Sequence, residues 1–515
     1  MPAYSGMTMG MTMSDGVIAL PPPPTQSSLR AVADTPTPNP PAITAGDPPD
    51  SEPAARWADI VTGRFGLYTL VINLGIFMWA INNLVVAGVM PTVVADIGGM
   101  RLYSWTFALF SMGSVIGAAA GGPLRDIFGA RFAYAGAGTV FCIGLAGAAL
   151  APNMEALVGM RLIQGLGGGA VSSLGYSLMA TLYPERLRGR ILAFTSTAWG
   201  VATTIGPGFG GIFAEYGLWR GAFWGMMPLA LLFIVIALRF IPRSTQSRSA
   251  ASFPFGRLVV LGGAVVTLSA ASQTDAIWLR VLLVFVSIAL TVIVFKLDGR
   301  AERPMFPRLA LRIGSETGAL YWIMGLNSAT VVVYATFQTL QLQVLHDVPP
   351  IVAAYLFMLS SLCWSTTAVI VATWRGHMET AGIVLGSVTL VIGTAGLAYF
   401  VVPGPVYLIA IFIAISGAGI GFMTNLQIQR AIRSVPDGEK SISGSSVQGI
   451  RTMGVAFGAA AAGLVAVAAG LKSETPGAEA VAGAMRWVYG FGAAIAGVTL
   501  ILVLGLILAT RKKPA

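Results

Sequence analysis

Arg161 lies inside a long apolar run, in the stretch RLIQGLGGGA, and has more chemistry to offer than any other side chain there. A guanidinium within a lipid-embedded segment is costly, so it is expected to face protein or a wet cavity, where oxygen atoms or an anion can meet it. Gln164 follows on the same helical face. The competing account is snorkelling, because Arg161 sits roughly 9 Å, at helical rise, from one end of its run. The other polar side chains within apolar runs are amides: Asn82 and Asn83, Asn327 and Gln338, and Asn425 with Gln427 and Gln429. Amides can line a hydrophilic path or bond one helix to another, and both readings stay open. No Asp or Glu falls centrally in any run; Asp96, Asp126 and Glu155 lie near run ends, and His346 and His377 lie in loops. Enzyme chemistry has little material, since there is no H-E-x-x-H, no phosphate-binding loop and no nucleophile–base pattern. Cys142 and Cys363 sit in apolar runs and suggest neither a disulfide framework nor a metal site. The glycines after Arg161 imitate a dinucleotide fingerprint without the strand that should precede it, so no cofactor is expected.

The elements that must hold these residues follow from composition. Of 515 residues, 55% are hydrophobic and only 10% charged, with a mean hydropathy of +0.77, which is too apolar for a soluble domain. The chain reads as an all-α polytopic membrane protein whose first partner is the lipid bilayer. A formal charge of +10 would suggest nucleic acid in a soluble protein, but here the placement of the charges matters more than their sum. Fourteen apolar runs lie between residues 66 and 510, the seventh (256–273) being weakest and open to a re-entrant reading. With a cytoplasmic N-terminus, 25 of the 31 Lys and Arg fall on the cytoplasmic side and five outside, leaving Arg161 within a span. That bias favours fourteen spans with both termini in the cytoplasm, in the cell's inner (plasma) membrane. Residues 1–60 are rich in Pro, Ser and Thr, lack an apolar run, and read as a disordered cytoplasmic extension rather than a cleaved signal.

The stretch GVATTIGPGFGG at 200–211 places five glycines and Pro207 in an apolar helix. In lipid, helices associate through small residues that let backbones approach. Gly200, Thr204, Pro207 and Gly211 share one helical face, and Gly206 with Gly210 forms a second beside it. Pro207 also removes the hydrogen bond to the Thr203 carbonyl, which permits a kink. A tightly packed crossing and a kinked contact between two moving bundles are both consistent with this.

Three stretches, GGPLRDIFGAR, RLIQGLGGGA and GVATTIGPGFGG, resemble in order and spacing three signature motifs of the major facilitator superfamily. With fourteen spans, residues 60 to 510 resemble its drug/proton antiporter branch. The resemblance implies two six-helix bundles, 61–242 and 314–511, joined by a linker, 243–313, that carries two inserted spans, with a basic tail at 512–515. It implies alternating access around a midplane site and export of a drug-like compound or natural product by a monomer, with a proton as coupling ion. Gly122, Leu124, Asp126, Gly129 and Arg131 match the gating-loop motif, and Asp126 matches the aspartate that closes the cytoplasmic gate in the outward-facing state. Gly206, Pro207, Gly210 and Gly211 match the antiporter helix, and Arg451 matches the thirteenth-span pattern. Asn82, Asn83, Arg161, Gln164, Asn327, Gln338 and Asn425 are then the substrate-pathway candidates. One departure stands out: the branch commonly carries an Asp where this chain has Asn82. A neutral cavity disfavours a strongly cationic cargo and permits neutral or anionic cargo near Arg161. Sodium-coupled or uncoupled transport of a metabolite or siderophore, and a non-transporting sensor on the same fold, are the alternatives.

Overall fold

The computed structural model describes residues 56–243, 254–301, 304–371, 374–436, 439–472 and 477–511; the Pro-rich extension up to residue 55 and the tail at 512–515 lie outside the described residues. Among the described residues the chain is almost wholly helical and has no strand. The helices are α1 (Trp57–Val61), α2 (Gly63–Ile97), α3 (Trp105–Ala149), α4 (Met154–Leu182), α5 (Glu185–Glu215), α6 (Trp219–Phe240), α7 (Phe255–Ala270), α8 (Ile277–Gly299), α9 (Glu316–His346), α10 (Pro350–Ile370), α11 (His377–Phe400), α12 (Val406–Arg433), α13 (Lys440–Ala468) and α14 (Ala478–Arg511). A 3-10 turn, Met100–Leu102, joins α2 to α3.

Ten of these helices are long and apolar enough to cross a bilayer. The distance from fourteen apolar runs has identifiable sources. Helix α3 counts once although Gly129, at φ 77 and ψ 158, breaks it into two limbs. Helix α7 has only 16 residues. Helices α4 and α5 carry the arginine-, glycine- and threonine-rich motifs, which lower their apolarity. The Gly129 backbone occupies a positive-φ region that costs an L side chain dearly, so this glycine of the loop motif is required by geometry.

Helix packing falls into two sets. Helix α2 packs on α4, α5 and α6, and α3 packs on α4 and α6; in the second set α9 packs on α13 and α14, α10 on α12, and α11 on α12 and α14. The sets meet chiefly where α5 lies on α10 and α3 lies on α13. Helices α7 and α8 pair with each other, and α7 rests on both α13 and α3.

Glycine decides how closely these helices approach. A Cβ at Gly165 would strike the Phe110 carbonyl, one at Gly169 the Ser114 carbonyl, and one at Gly167 the Phe141 amide. The glycine run after Arg161 is therefore a packing surface that seats α4 against both limbs of α3. Helix α5 uses its glycines on two sides. A Cβ at Gly210 would come within 2.6 Å of the Val85 carbonyl oxygen on α2, and one at Gly211 within 2.8 Å of the Ile351 Cα on α10. Gly206 also faces α2, against Leu84, and Pro207 is buried while the helix continues through it to Glu215. Gly200 faces open space.

These contacts predict opposite outcomes for two glycine-to-alanine changes. Gly169→Ala forces α4 off the α3 backbone and should cost about 1–3 kcal/mol. Gly200→Ala meets nothing and gains helix propensity, so it should be neutral or stabilising by up to about 1 kcal/mol. Thermal unfolding of the two purified variants in detergent decides the matter, and equal shifts would show that backbone approach is not what these glycines provide.

Candidate functional site

Arg161 is 1% exposed. Its Nη1 donates to the Asn82 Oδ1 of α2 at 2.8 Å and to the Gln164 Oε1 one turn along α4, and its Nε donates to the Thr106 carbonyl of α3 at 3.3 Å. The guanidinium carbon lies 4.0 Å from the Phe110 ring centroid. Asn82 is buried too, and its amide reaches the Met226 sulfur of α6 at 3.9 Å. Each partner follows from local structure. Gln164 is the i+3 neighbour on α4, while Thr106 and Phe110 lie one turn apart on α3, opposite the Gly165 contact that draws the two backbones together. A buried guanidinium has five N–H donors and normally wants a carboxylate. Here neutral oxygens and an aromatic face supply the stabilisation, so among the described residues Arg161 ties α2, α3 and α4 together without an ion pair. Arg161, Asn82 and Gln164 thus form one network. Asn83 lies apart from it, bonding to the Trp79 carbonyl on its own helix.

A separate cavity of about 220 Å³ opens among α9, α10, α12 and α13. Its polar lining comprises Asn327 and Ser328 from α9, Thr424 and Gln427 from α12, and Arg451 from α13, with Trp364 of α10 as the aromatic wall. Asn327 is 5% exposed with its Oδ1 unpartnered, and Gln427 is 1% exposed with its Nε2 unpartnered. Asn425 is exposed and outside this lining. The helical period explains it: Ile420, Thr424 and Gln427 share one face of α12, and Asn425 points elsewhere. That period could have singled out Gln427, whereas Trp364 gave no signal in the sequence. Gln338 is buried with both amide atoms unpartnered and lies outside the cavity lining.

The gating-loop residues occupy the break in α3. Gly122 has open space around it, and Arg131 donates from Nε to the Ile241 carbonyl at 2.6 Å, tying the second limb to the end of α6. Asp126 accepts from Arg125 at 3.3 Å, and Arg125 also reaches the Ser177 hydroxyl of α4. Among the described residues both bond within the first helix set.

The two sets touch at the opposite end, where α2 terminates. Tyr103 stacks on Phe337 with centroids 5.1 Å apart, Thr339 donates to the Ala87 carbonyl at 2.8 Å, and Gly463 closes on Ser104. The loop between α7 and α8 lies across this seam. Its Asp275 accepts from Arg101 at 3.2 Å and from Lys472 at 2.6 Å, one residue from each set, and Trp105 donates to Ser272 at 3.2 Å. Hydrogen bonding from Lys472 and Arg101 holds the Asp275 carboxyl below the usual carboxylate range.

The family model for the Major Facilitator Superfamily matches residues 72–448. A Mycobacterium tuberculosis (strain H37Rv) protein described as a probable multidrug-efflux transporter is 30% identical over 425 residues, covering 79% of this chain and 89% of its own. Multidrug resistance protein 3 of Bacillus subtilis is 24% identical, covering 77% and 78%. Among solved structures, a D-xylose–proton symporter superposes with a TM-score of 0.61 at 17% identity, over 88% of this chain and 98% of that one.

Two outcomes follow from these geometries. Asn82→Leu leaves a buried donor of Arg161 without its acceptor and should cost about 1–3 kcal/mol, whereas Asn82→Asp supplies a carboxylate and should be no less stable than wild type; thermal unfolding in detergent ranks the three. The Asp275 bridge, its carboxyl pKa being lowered, contributes above the ordinary carboxylate range and is lost as pH falls through the lowered value. In a variant carrying Ser104→Cys and lacking the native cysteines, alkylation should therefore rise when Asp275→Asn is added. Unchanged alkylation would show that the bridge does not hold this end shut.

Proposed function

The chain belongs to the Major Facilitator Superfamily, and we propose that it exports a drug-like compound or natural product by alternating access. It is a multi-pass membrane transporter rather than an enzyme. We read fourteen passes: α2, the two limbs of α3, and α4 to α14. Residues 61–242 and 314–511 form the two six-helix bundles, and α7 and α8 are inserted passes within the 243–313 linker. Both termini lie in the cytoplasm, the membrane is the plasma membrane, and the working unit is a monomer.

The observation that carries this reading is the seam. Two helix sets meet through glycine-faced contacts of α5 on α10 and close at one end by Tyr103–Phe337 and Asp275, while Asp126 at the other end keeps to its own set. This is the arrangement expected of a carrier closed outward and open inward, in which Asp126 has yet to engage the second set. Gly122, Leu124, Gly129 and Arg131 shape the loop that carries Asp126, and Gly206, Pro207, Gly210 and Gly211 form the low-relief surface on which the sets rock. Of the pathway candidates, Asn82, Arg161 and Gln164 form the network that braces the first set and Asn327 lines the cavity beside Arg451, whereas Asn83, Gln338 and Asn425 belong to neither.

Proton antiport is the coupling we assign, by analogy with efflux relatives. Among the described residues no carboxylate sits at mid-helix in the assigned passes, so our coupling candidates are the carboxylates at helix ends, Asp126 first. The same observation favours uncoupled or sodium-driven transport as the second reading.

Purified protein in proteoliposomes should move a cargo down an imposed pH gradient. Asp126→Asn should lower the rate at least tenfold by impairing closure, and Arg161→Ala should lower it through the loss of folded protein. Flux indifferent to both proton and sodium gradients would replace antiport with uncoupled transport, and binding without flux would end the transporter reading for this chain.

A further inference from the structure

The charges of this protein are distributed unevenly. The carboxylates in described ion pairs lie at helix ends, in loops or at the break in α3: Asp96 with Arg220, Asp126 with Arg125, Asp275 with Arg101 and Lys472, Asp298 with Arg257, Glu316 with Arg430, and Glu379 with Arg433. Among the described residues no carboxylate lines the cavity between α9, α10, α12 and α13. Arg451 does, and its nearest described acceptor is the Gln448 amide on its own helix, at a long 3.5 Å. Arg161, the other interior arginine, gives its Nε and Nη1 donors to Asn82, Gln164 and Thr106. The two arginines therefore differ in kind: one is held by acceptors within the protein, and the other faces a cavity.

The cavity also holds buried polar atoms that the protein leaves unmatched, the Asn327 oxygen and the Gln427 amide nitrogen. Unpartnered buried amides cost stability unless a ligand or water completes them. A donor amide and a guanidinium on neighbouring helices suit a group with two acceptor oxygens, as a carboxylate has. Around this polar patch the lining is apolar, with Met324, Val331, Val332, Ile420 and Val455 beside one aromatic ring. Trp364 walls the cavity itself. In the first set, Trp199 of α5 packs edge to face on Trp79 of α2 with centroids 5.4 Å apart.

We infer that the cavity binds amphipathic organic anions, an aromatic body carrying a carboxylate, with Arg451 as counter-ion, Gln427 as second donor and the Trp364 ring against the body. The assignment rests on the transporter reading for its consequence, cargo selection, and on the cavity alone for binding. A planar cation meets the Arg451 charge with no carboxylate to offset it, so selectivity runs toward anions. Arg451 selects by charge, and the Trp364 ring tolerates many planar shapes because it offers only a π-face.

The test uses the full chain, with carboxyfluorescein as the aromatic carboxylate and ethidium as a planar cation. Fluorescence anisotropy in detergent measures binding, and dye flux in proteoliposomes measures transport. Wild type should bind and move carboxyfluorescein in preference to ethidium. Arg451→Gln should weaken carboxyfluorescein binding at least tenfold and narrow or reverse the preference, while Arg451→Lys recovers part of it. Gln427→Leu, which keeps the charge, should weaken the anion by a smaller factor and leave ethidium unchanged. Failure of wild type to bind carboxyfluorescein, or equal loss of both dyes in Arg451→Gln, overturns the assignment; transport of ethidium alone does so while leaving the transporter reading intact. Saturable carboxyfluorescein binding that depends on Arg451, with no flux of either dye, upholds the site and overturns transport.

Discussion

Within a bilayer, helices gain nothing by hiding apolar surface from one another, so their association rests on how closely two backbones can come. In this protein glycine sets that distance. Gly165, Gly167 and Gly169 bring α4 onto both limbs of α3, and the register of that contact stations Arg161 over Phe110 and beside the Thr106 carbonyl. Gly206 and Gly210 bring α5 onto α2, which frees Gly211 and Gly208 to meet α10. A contact built from backbone on backbone has little relief. Two helix sets can therefore change their angle across it without withdrawing interlocked side chains, a freedom that an alternating carrier needs.

Charge is handled under the same constraint. Ion pairs gather at helix ends, where partial hydration lowers the cost of burying them. The interior arginines have no such relief. Arg161 is satisfied by neutral oxygens and by the Phe110 face, and so acts as a brace among three helices. Among the described residues Arg451 has a distant amide and an adjoining cavity. One residue type braces one helix set and lines a cavity in the other, according to how many acceptors its neighbours provide.

The inserted pair α7 and α8 adds a tether to this plan. Its loop places one carboxylate, Asp275, between a cation from each set. Because that carboxylate is solvated, its hold is weak and sensitive to salt, unlike the Tyr103–Phe337 stack beside it. The hairpin thus bears on the seam without being part of either set.

Apolar run length determined the membrane class from sequence, because a backbone in lipid must bond to itself and only helices of sufficient length do so within one segment. The sequence likewise determined the Arg161–Gln164 pair, an i,i+3 relation on one helix, and the Gly129 turn, which only glycine accommodates. The position of each residue relative to others on its own helix was legible throughout. What the sequence lacked was the rotation of each helix about its axis, since a period without an origin does not say which face looks inward. Tertiary packing supplied that origin. It brought Asn82 to Arg161 across 79 positions of chain, turned Thr424 and Gln427 into the cavity while leaving Asn425 exposed, and directed Gly211 to the opposite helix set rather than to its own.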